Sequence, residues 1–211
     1  MNEKGFFSRY FPHGLAGVFT LLWAILAINP VMRDVWWAEN LPIIIVFLLL
    51  VVTFKVFRFS NLAYGLMACW LILHTIGGHY TFANVPFDFV TDFFGFERNH
   101  FDRLGHYSIG FYAFPIAELL TRKRLAKPVV VYQFSLFAIM ALAAGYEIIE
   151  WWYAVMAGGD AGIEFLGSQG DIWDAQTDML ADTLGAVTTL ILFRFSGIRA
   201  NETALTKKQS I

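Results

Sequence analysis

The chain is 211 residues long, 57% apolar and only 15% charged, with a formal net charge of −2. That composition belongs to a polytopic membrane protein rather than a soluble domain, and near-neutrality without basic runs interleaved with aromatics excludes a nucleic-acid binder. The single cysteine, Cys69, excludes a disulfide framework and a cysteine-based metal site.

The apolar residues fall in six segments. The first, Gly14 to Ile28, follows Lys4 and Arg9 and ends in Ala27-Ile28-Asn29-Pro30 without a small-x-small cleavage pattern, so it reads as a retained helix rather than a secretory signal. Leu41 to Phe57, Leu62 to Ile76, Leu104 to Leu120, Val129 to Val155 and Ala175 to Phe195 follow, most of them near the ~20 residues that a crossing needs. The pattern predicts an all-α fold, a bundle of six transmembrane helices. Residues 1–211 form a single transmembrane domain with a short cytoplasmic amino-terminal segment and a polar tail from about residue 197.

Lysine and arginine set the orientation. Lys4 and Arg9, Lys55 and Arg58, Arg122, Lys123, Arg124 and Lys127, and Arg194, Arg199, Lys207 and Lys208 all fall on one side of the predicted bundle. The positive-inside rule makes that side, with both termini, cytoplasmic. The opposite connections hold Arg33, Arg98 and Arg103 against many acids, and Trp36, Trp37, Trp151, Trp152 and Trp173 fall where an aromatic belt belongs. The longest of these connections, Tyr80 to Arg103, mixes Phe87, Phe89, Phe93, Phe94 and Phe96 with acids, which fits either an interfacial segment or a lid on the bundle.

Within the predicted spans, ionisable residues gather at one depth near the outer ends. His74 and His79 close the third helix, Asp102 and His106 open the fourth, Glu147 and Glu150 lie on the fifth, and Asp174, Asp178 and Asp182 form a stripe on the sixth. His74 and His79 stand about 140° apart around a helix, so both face one site only if the helix ends or unwinds near Gly77-Gly78. Carboxylates near hydrocarbon need partners, cations or water, and histidine with carboxylate is a ligand set for Zn, Mn, Fe or a similar divalent ion. Three readings stay open: a metal or catalytic centre, a proton or cation pathway through Glu147, Asp178 and Asp182, and a structural polar core. Glu118 is placed to pair with Arg122 one helical turn away, and Trp23 and Trp70 read as packing residues.

Asn99-His100-Phe101-Asp102-Arg103-Leu104-Gly105-His106-Tyr107, Tyr146-Glu147-Ile148-Ile149-Glu150-Trp151, Asp171-Ile172-Trp173-Asp174-Ala175-Gln176-Thr177-Asp178 and Asp182-Thr183-Leu184-Gly185-Ala186 resemble the YjdF-type family of bacterial inner-membrane proteins. The resemblance runs over nearly the whole chain and implies a multi-pass inner-membrane protein, without an activity. A more distant similarity, limited to the carboxy-terminal half, is to VanZ-like membrane proteins, associated with glycopeptide resistance. Asp102, Arg103 and His106 match the first part of that pattern, Glu147 or Glu150 the second, and Asp178, Thr183, Gly185 and Ala186 the third. Asp182 stands where that family usually has asparagine.

The expectation is therefore a bacterial inner-membrane protein with a divalent metal ion near the outer leaflet, held by His79, His106, Glu150, Asp174 and Asp178. Glu147 is the candidate general base, and Arg103 the candidate binder of an anionic head group. Membrane lipids are the expected partners, and a lipid-linked or envelope substrate reaches such a site laterally. The alternatives are a proton- or cation-coupled transporter and a non-catalytic scaffold.

Overall fold

The computed structural model describes residues 3–198, with only the backbone described at Glu3, Lys4, Phe6 and Phe7. Arg199, Lys207, Lys208 and the polar tail around them lie outside the described residues. These comprise helices α1 (Glu3–Leu26), α2 (Arg33–Thr53), α3 (Asn61–Tyr80), α4 (Asp88–Phe94), α5 (Phe101–Ile109), α6 (Ala113–Arg122), α7 (Pro128–Ala157), α8 (Gly159–Leu166) and α9 (Asp174–Phe195). A 3-10 turn, Gly110–Tyr112, joins α5 to α6.

Local chemistry sets several of these boundaries. Ser60 caps α3, its hydroxyl accepting from the Ala63 N–H at 3.2 Å. Pro128 occupies the first turn of α7, where its missing N–H costs nothing, and Gly158 ends that helix at φ 63° and ψ −177°, a conformation open to glycine. Asp171 accepts from the Trp173 N–H just ahead of α9, and Asp174 lies in the first turn, where a negative charge opposes the helix dipole favourably.

Among the described residues α2, α3 and α7 are long and apolar enough to cross a membrane. The segment expected as a single fourth crossing is divided into α5, the 3-10 turn and α6. α9 spans 22 residues but carries three aspartates in its first half. Helix α1 begins well before the expected Gly14, and α3 runs on through Gly77 and Gly78 to Tyr80. Those two glycines serve close approach rather than unwinding: a Cβ on Gly77 would strike the Phe82 ring, and one on Gly78 would sit 2.9 Å from Glu39 Cβ.

The centre of the bundle is the crossing of α9 with α5 and the 3-10 turn. Gly185 sits against the Tyr107 carbonyl, and Gly110 against the backbone of Asp182 to Ala186, leaving no room for a side chain at either position. Below the crossing, Ala113, Phe114, Ala117, Ile139, Ala186, Leu190 and Phe193 form an apolar core with Met67 of α3. The Phe114 and Phe193 rings meet edge to face at 5.3 Å. A second core cluster, Phe19, Ile43, Trp70 and Leu71, binds α1, α2 and α3 together.

Outside these cores the surface is apolar. Leu41, Ile45, Leu48, Leu49 and Val52 of α2, and Phe134, Phe137, Leu142, Ile149 and Val155 of α7, are exposed, a continuous apolar exterior suited to lipid and not to water. Trp37, Trp151, Trp152 and Trp173 are exposed as a belt would require, whereas Trp36 is buried at 1% exposure, packed on Trp23 with the Arg33 guanidinium over its ring.

The two ends of the bundle differ in charge. At one end Arg58 donates to the Ser8 and Arg9 carbonyls and Arg122 donates to the Arg58 carbonyl, so basic residues from three separate stretches converge. At the other, residues 81–100 and 158–173 form a cap. Glu164 accepts from Thr81 and Asn84, and Asn99 and Gln169 exchange two hydrogen bonds of 3.0 and 2.9 Å. Phe82 and Val85 of the cap pack inward against Phe101, while Phe89, Phe93 and Phe94 of α4 project outward at 83%, 74% and 63% exposure. The long connection is thus lid-like along its inner edge and has the exposed aromatics of an interfacial segment on α4.

Candidate functional site

Beneath the cap lies a buried polar centre built by five helices. Its axis is the α5–α9 pair: Asp102 and His106 share a face of α5, and Asp178 and Asp182 share the facing stripe of α9. All four are less than 9% exposed. His106 Nδ1 is 3.0 Å from Asp182 Oδ2. Its Nε2 then points between Asp102 Oδ1 at 3.7 Å and Asp178 Oδ1 at 3.8 Å, both beyond hydrogen-bonding distance. One ligand atom from each of Asp102, His106 and Asp178 lies within 4.8 Å of the other two.

Two arginines roof this group. Arg103 is ion-paired with Asp178 and donates to Asp174 at 2.6 Å, and Arg98 donates to Asp174 at 2.7 Å and to the Ser168 carbonyl at 3.1 Å. Both arginines also reach Asp171. Asp174 is therefore shared between two guanidiniums. Arg103, at the start of α5, folds down onto Asp178 beneath the cap.

Beside this group runs a second polar cluster. Glu39 of α2, 2% exposed, lies 3.0 Å from His74 Nε2 and accepts from the Tyr146 hydroxyl of α7 at 2.8 Å. The Tyr146 ring lies 6.1 Å from both the His74 and the His106 rings, joining the two clusters. Glu147 and Glu150 follow on α7, within electrostatic range of His106 and Asp102, and Glu147 Oε1 is buried without a hydrogen-bond partner. Asp182 Oδ1 is likewise buried without one. Carboxylates outnumber the cations that face them.

Of the residues singled out from sequence, the fold brings His106, Asp178, Asp174, Glu147, Glu150 and Arg103 to one region. It does not bring His79, whose Nδ1 is 2.7 Å from the Leu26 carbonyl. Because α3 remains helical through Gly78, His74 faces the centre and His79 faces α1. Arg103 pairs with Asp174 and Asp178 inside the cap. Asp102 takes the place beside His106 and Asp178, a placement the four-residue spacing already allowed. Glu39 and Arg98 were missed. The signal for Glu39 was a carboxylate immediately ahead of the apolar run of α2, and the signal for Arg98 was its place as one of three basic residues in the acid-rich connections. Trp23, read as packing, also donates to Asn40 at 2.8 Å.

Residues 11–199 match a family described as "Predicted membrane protein (DUF2238)". The chain is 38% identical over 180 residues to the inner membrane protein YjdF of Escherichia coli (strain K12), a match covering 83% of this chain and 86% of that protein. No solved structure matches. With the motif resemblance extending over the capped polar centre and the bundle around it, the chain belongs to the DUF2238 family of membrane proteins, the family of YjdF.

Proposed function

We propose that this protein is a six-span protein of the bacterial inner membrane, with both termini cytoplasmic, that holds a divalent metal ion between Asp102, His106 and Asp178. The observation that carries the metal reading is the convergence of three ligand atoms within 4.8 Å beneath a closed cap. Ligands that share an ion at ~2.1 Å stand ~3–4 Å apart, which matches the His106 to Asp102 and His106 to Asp178 separations. The His106–Asp182 contact supports the same reading, since a metal-bound histidine ordinarily hands its other ring nitrogen to a carboxylate. In this reading Asp182 orients His106, while Arg98 and Arg103 hold Asp174 and offset part of the surplus negative charge.

A divalent ion at this position supplies an acidified water or a polarised phosphoryl or carbonyl oxygen. Glu147, with a buried carboxylate oxygen that lacks a partner, is the group placed to accept the proton. The reaction class is hydrolysis or transfer on a lipid-linked or envelope substrate at the outer leaflet, reached laterally between helices. A transporter reading is weaker because the acidic residues of α9 end at Asp182: directly below, Gly185 closes on α5, and Phe114, Ala186, Leu190 and Phe193 form an apolar core.

Elemental mass spectrometry on the detergent-purified full chain tests the metal. The expected result is a stoichiometric divalent ion that is lost in both His106→Ala and Asp178→Asn. A wild-type protein that stays metal-free after incubation with zinc and with manganese overturns the reading.

A further inference from the structure

The basic end carries a feature independent of the polar centre. An apolar groove of about 200 Å³ opens between α1, α2 and α3, lined by Leu15, Ala16, Phe19, Leu50, Phe54 and Leu71 among others. Beside it at the basic end lies an open cleft of about 590 Å³ lined by Ser8, Arg9, Arg58, Ser60, Asn61 and Arg122. Helices α1 and α3 line both. On α1, Arg9 lines the cleft and His13, one turn on, lines the groove. On α3, Asn61 lines the cleft, and Tyr64, one turn on, lines the groove. Phe54 forms the boundary, with the His13 ring edge-on at 5.0 Å and the Arg58 guanidinium 5.5 Å above its centroid.

The charge of the cleft is unbalanced. Glu118, buried behind Ser60 and Arg122, is fully engaged, accepting from Ser60 N, Ser60 Oγ and Arg122. Among the described residues no carboxylate forms an ion pair with Arg9 or Arg58. Arg58 spends hydrogen bonds on the Ser8 and Arg9 carbonyls, which fixes its guanidinium at the rim of the cleft instead of letting it extend into water. A fixed cationic cleft adjoining an apolar slot has the two-part polarity of a phospholipid: an anionic head group for the arginines and an acyl chain for the groove.

We infer that the α1–α2–α3 face at the basic end is a binding site for one anionic glycerophospholipid, its phosphate held by Arg9 and Arg58 and one acyl chain lying along Leu15, Ala16 and Phe54. Arg122, neutralised by Glu118, shapes the cleft without adding net charge. The site lies at the opposite end from the polar centre, so neither its presence nor its test depends on a metal.

Native mass spectrometry of the detergent-purified full chain, offered dioleoylphosphatidylglycerol or dioleoylphosphatidylcholine, decides the matter. The wild type is expected to retain a single phosphatidylglycerol at detergent concentrations that strip phosphatidylcholine. Affinity falls about fivefold for each arginine removed in Arg9→Ala and Arg58→Ala. Arg58→Gln replaces Arg58→Ala if the latter does not fold. Ala16→Phe, which fills the groove and leaves the arginines in place, is expected to weaken phosphatidylglycerol binding as well. Millimolar inorganic phosphate should not displace the lipid. Equal retention of the two lipids, displacement by phosphate alone, or unchanged binding in Arg9→Ala and Ala16→Phe each overturns the site.

Discussion

The run from α5 through the 3-10 turn into α6 meets α9 twice, and the two meetings are opposites. In the outer half Asp102, Arg103 and His106 face Asp174, Asp178 and Asp182, a contact with more carboxylate than cation. In the inner half the backbones touch at Gly110 and Gly185, Thr189 donates to the Gly110 carbonyl at 3.2 Å, and Phe114 packs on Phe193. An isolated polar pair of that kind would not hold two helices together, because desolvation of several charges cancels most of their mutual attraction. The inner half supplies packing and close van der Waals contact. The outer half is thereby held in a geometry that its own electrostatics would not select, which is the condition for a preorganised site.

The comparison breaks most easily at Arg103. Arg103→Ala leaves Asp174 and Asp178 facing each other with one fewer cation, and is expected to destabilise by about 3–5 kcal/mol, read as a large fall in the thermal midpoint in detergent. A midpoint unchanged in Arg103→Ala shows that protons or bound cations already neutralise the aspartates. Gly185→Val attacks the other half by forcing a side chain into the Tyr107 carbonyl. It should cost about 1–3 kcal/mol, and it should also loosen the outer site, so its metal content falls with its stability. A Gly185→Val protein of full stability would mean that the helices part at the crossing without cost.

Smaller effects sharpen the picture. Asp182→Asn keeps the shape and the contact to His106 but removes the charge that orients it, so metal affinity should drop about 10–100-fold with little change in thermal midpoint. Unchanged affinity in that variant removes Asp182 from the site and leaves it a packing residue. The weakest expected effect is at the rim. Burial, with the Arg98 and Arg103 guanidiniums nearby, holds the His100 imidazole below its ordinary value. A base whose folded value is lowered takes up its proton more readily in the unfolded chain. Its contribution to the cap is therefore complete above the unfolded value of about 6.5 and is lost as the pH falls through that value towards the folded one. Proteolysis of the 81–100 segment should accelerate slightly on acidification through this range, and His100→Asn should flatten that trend; an identical trend in the variant assigns the acid response to other groups.

The helical bundle, its acidic and basic ends, and most of the polar centre were legible in the chain. Apolar blocks, the side on which arginine and lysine fall, and the four-residue spacings of Asp102 with His106 and of Asp174, Asp178 and Asp182 are local patterns, and helical geometry converts them directly into faces and ends. Glu118 and Arg122 pair at 2.5 Å as their spacing implied. What sequence left undecided was which faces meet. α3 stays helical through Gly77 and Gly78, where the Phe82 ring and the Glu39 side chain pack too closely for a Cβ, and that continuity turns His74 into the centre and His79 towards α1. The tertiary structure also decided that Arg103 and Arg98 clamp Asp174, that Asp102 sits beside Asp178, and that Glu39 is buried against His74 and Tyr146. Each of these contacts joins residues from separate helices or loops, where no periodicity links one to the other. The sequence by itself determined the all-α character, the charge asymmetry of the two ends and the charged faces of the helices; packing determined how the expected fourth segment divides and which partners meet, because close approach at Gly110 and Gly185 is what fixes the rotation of α9 against α5.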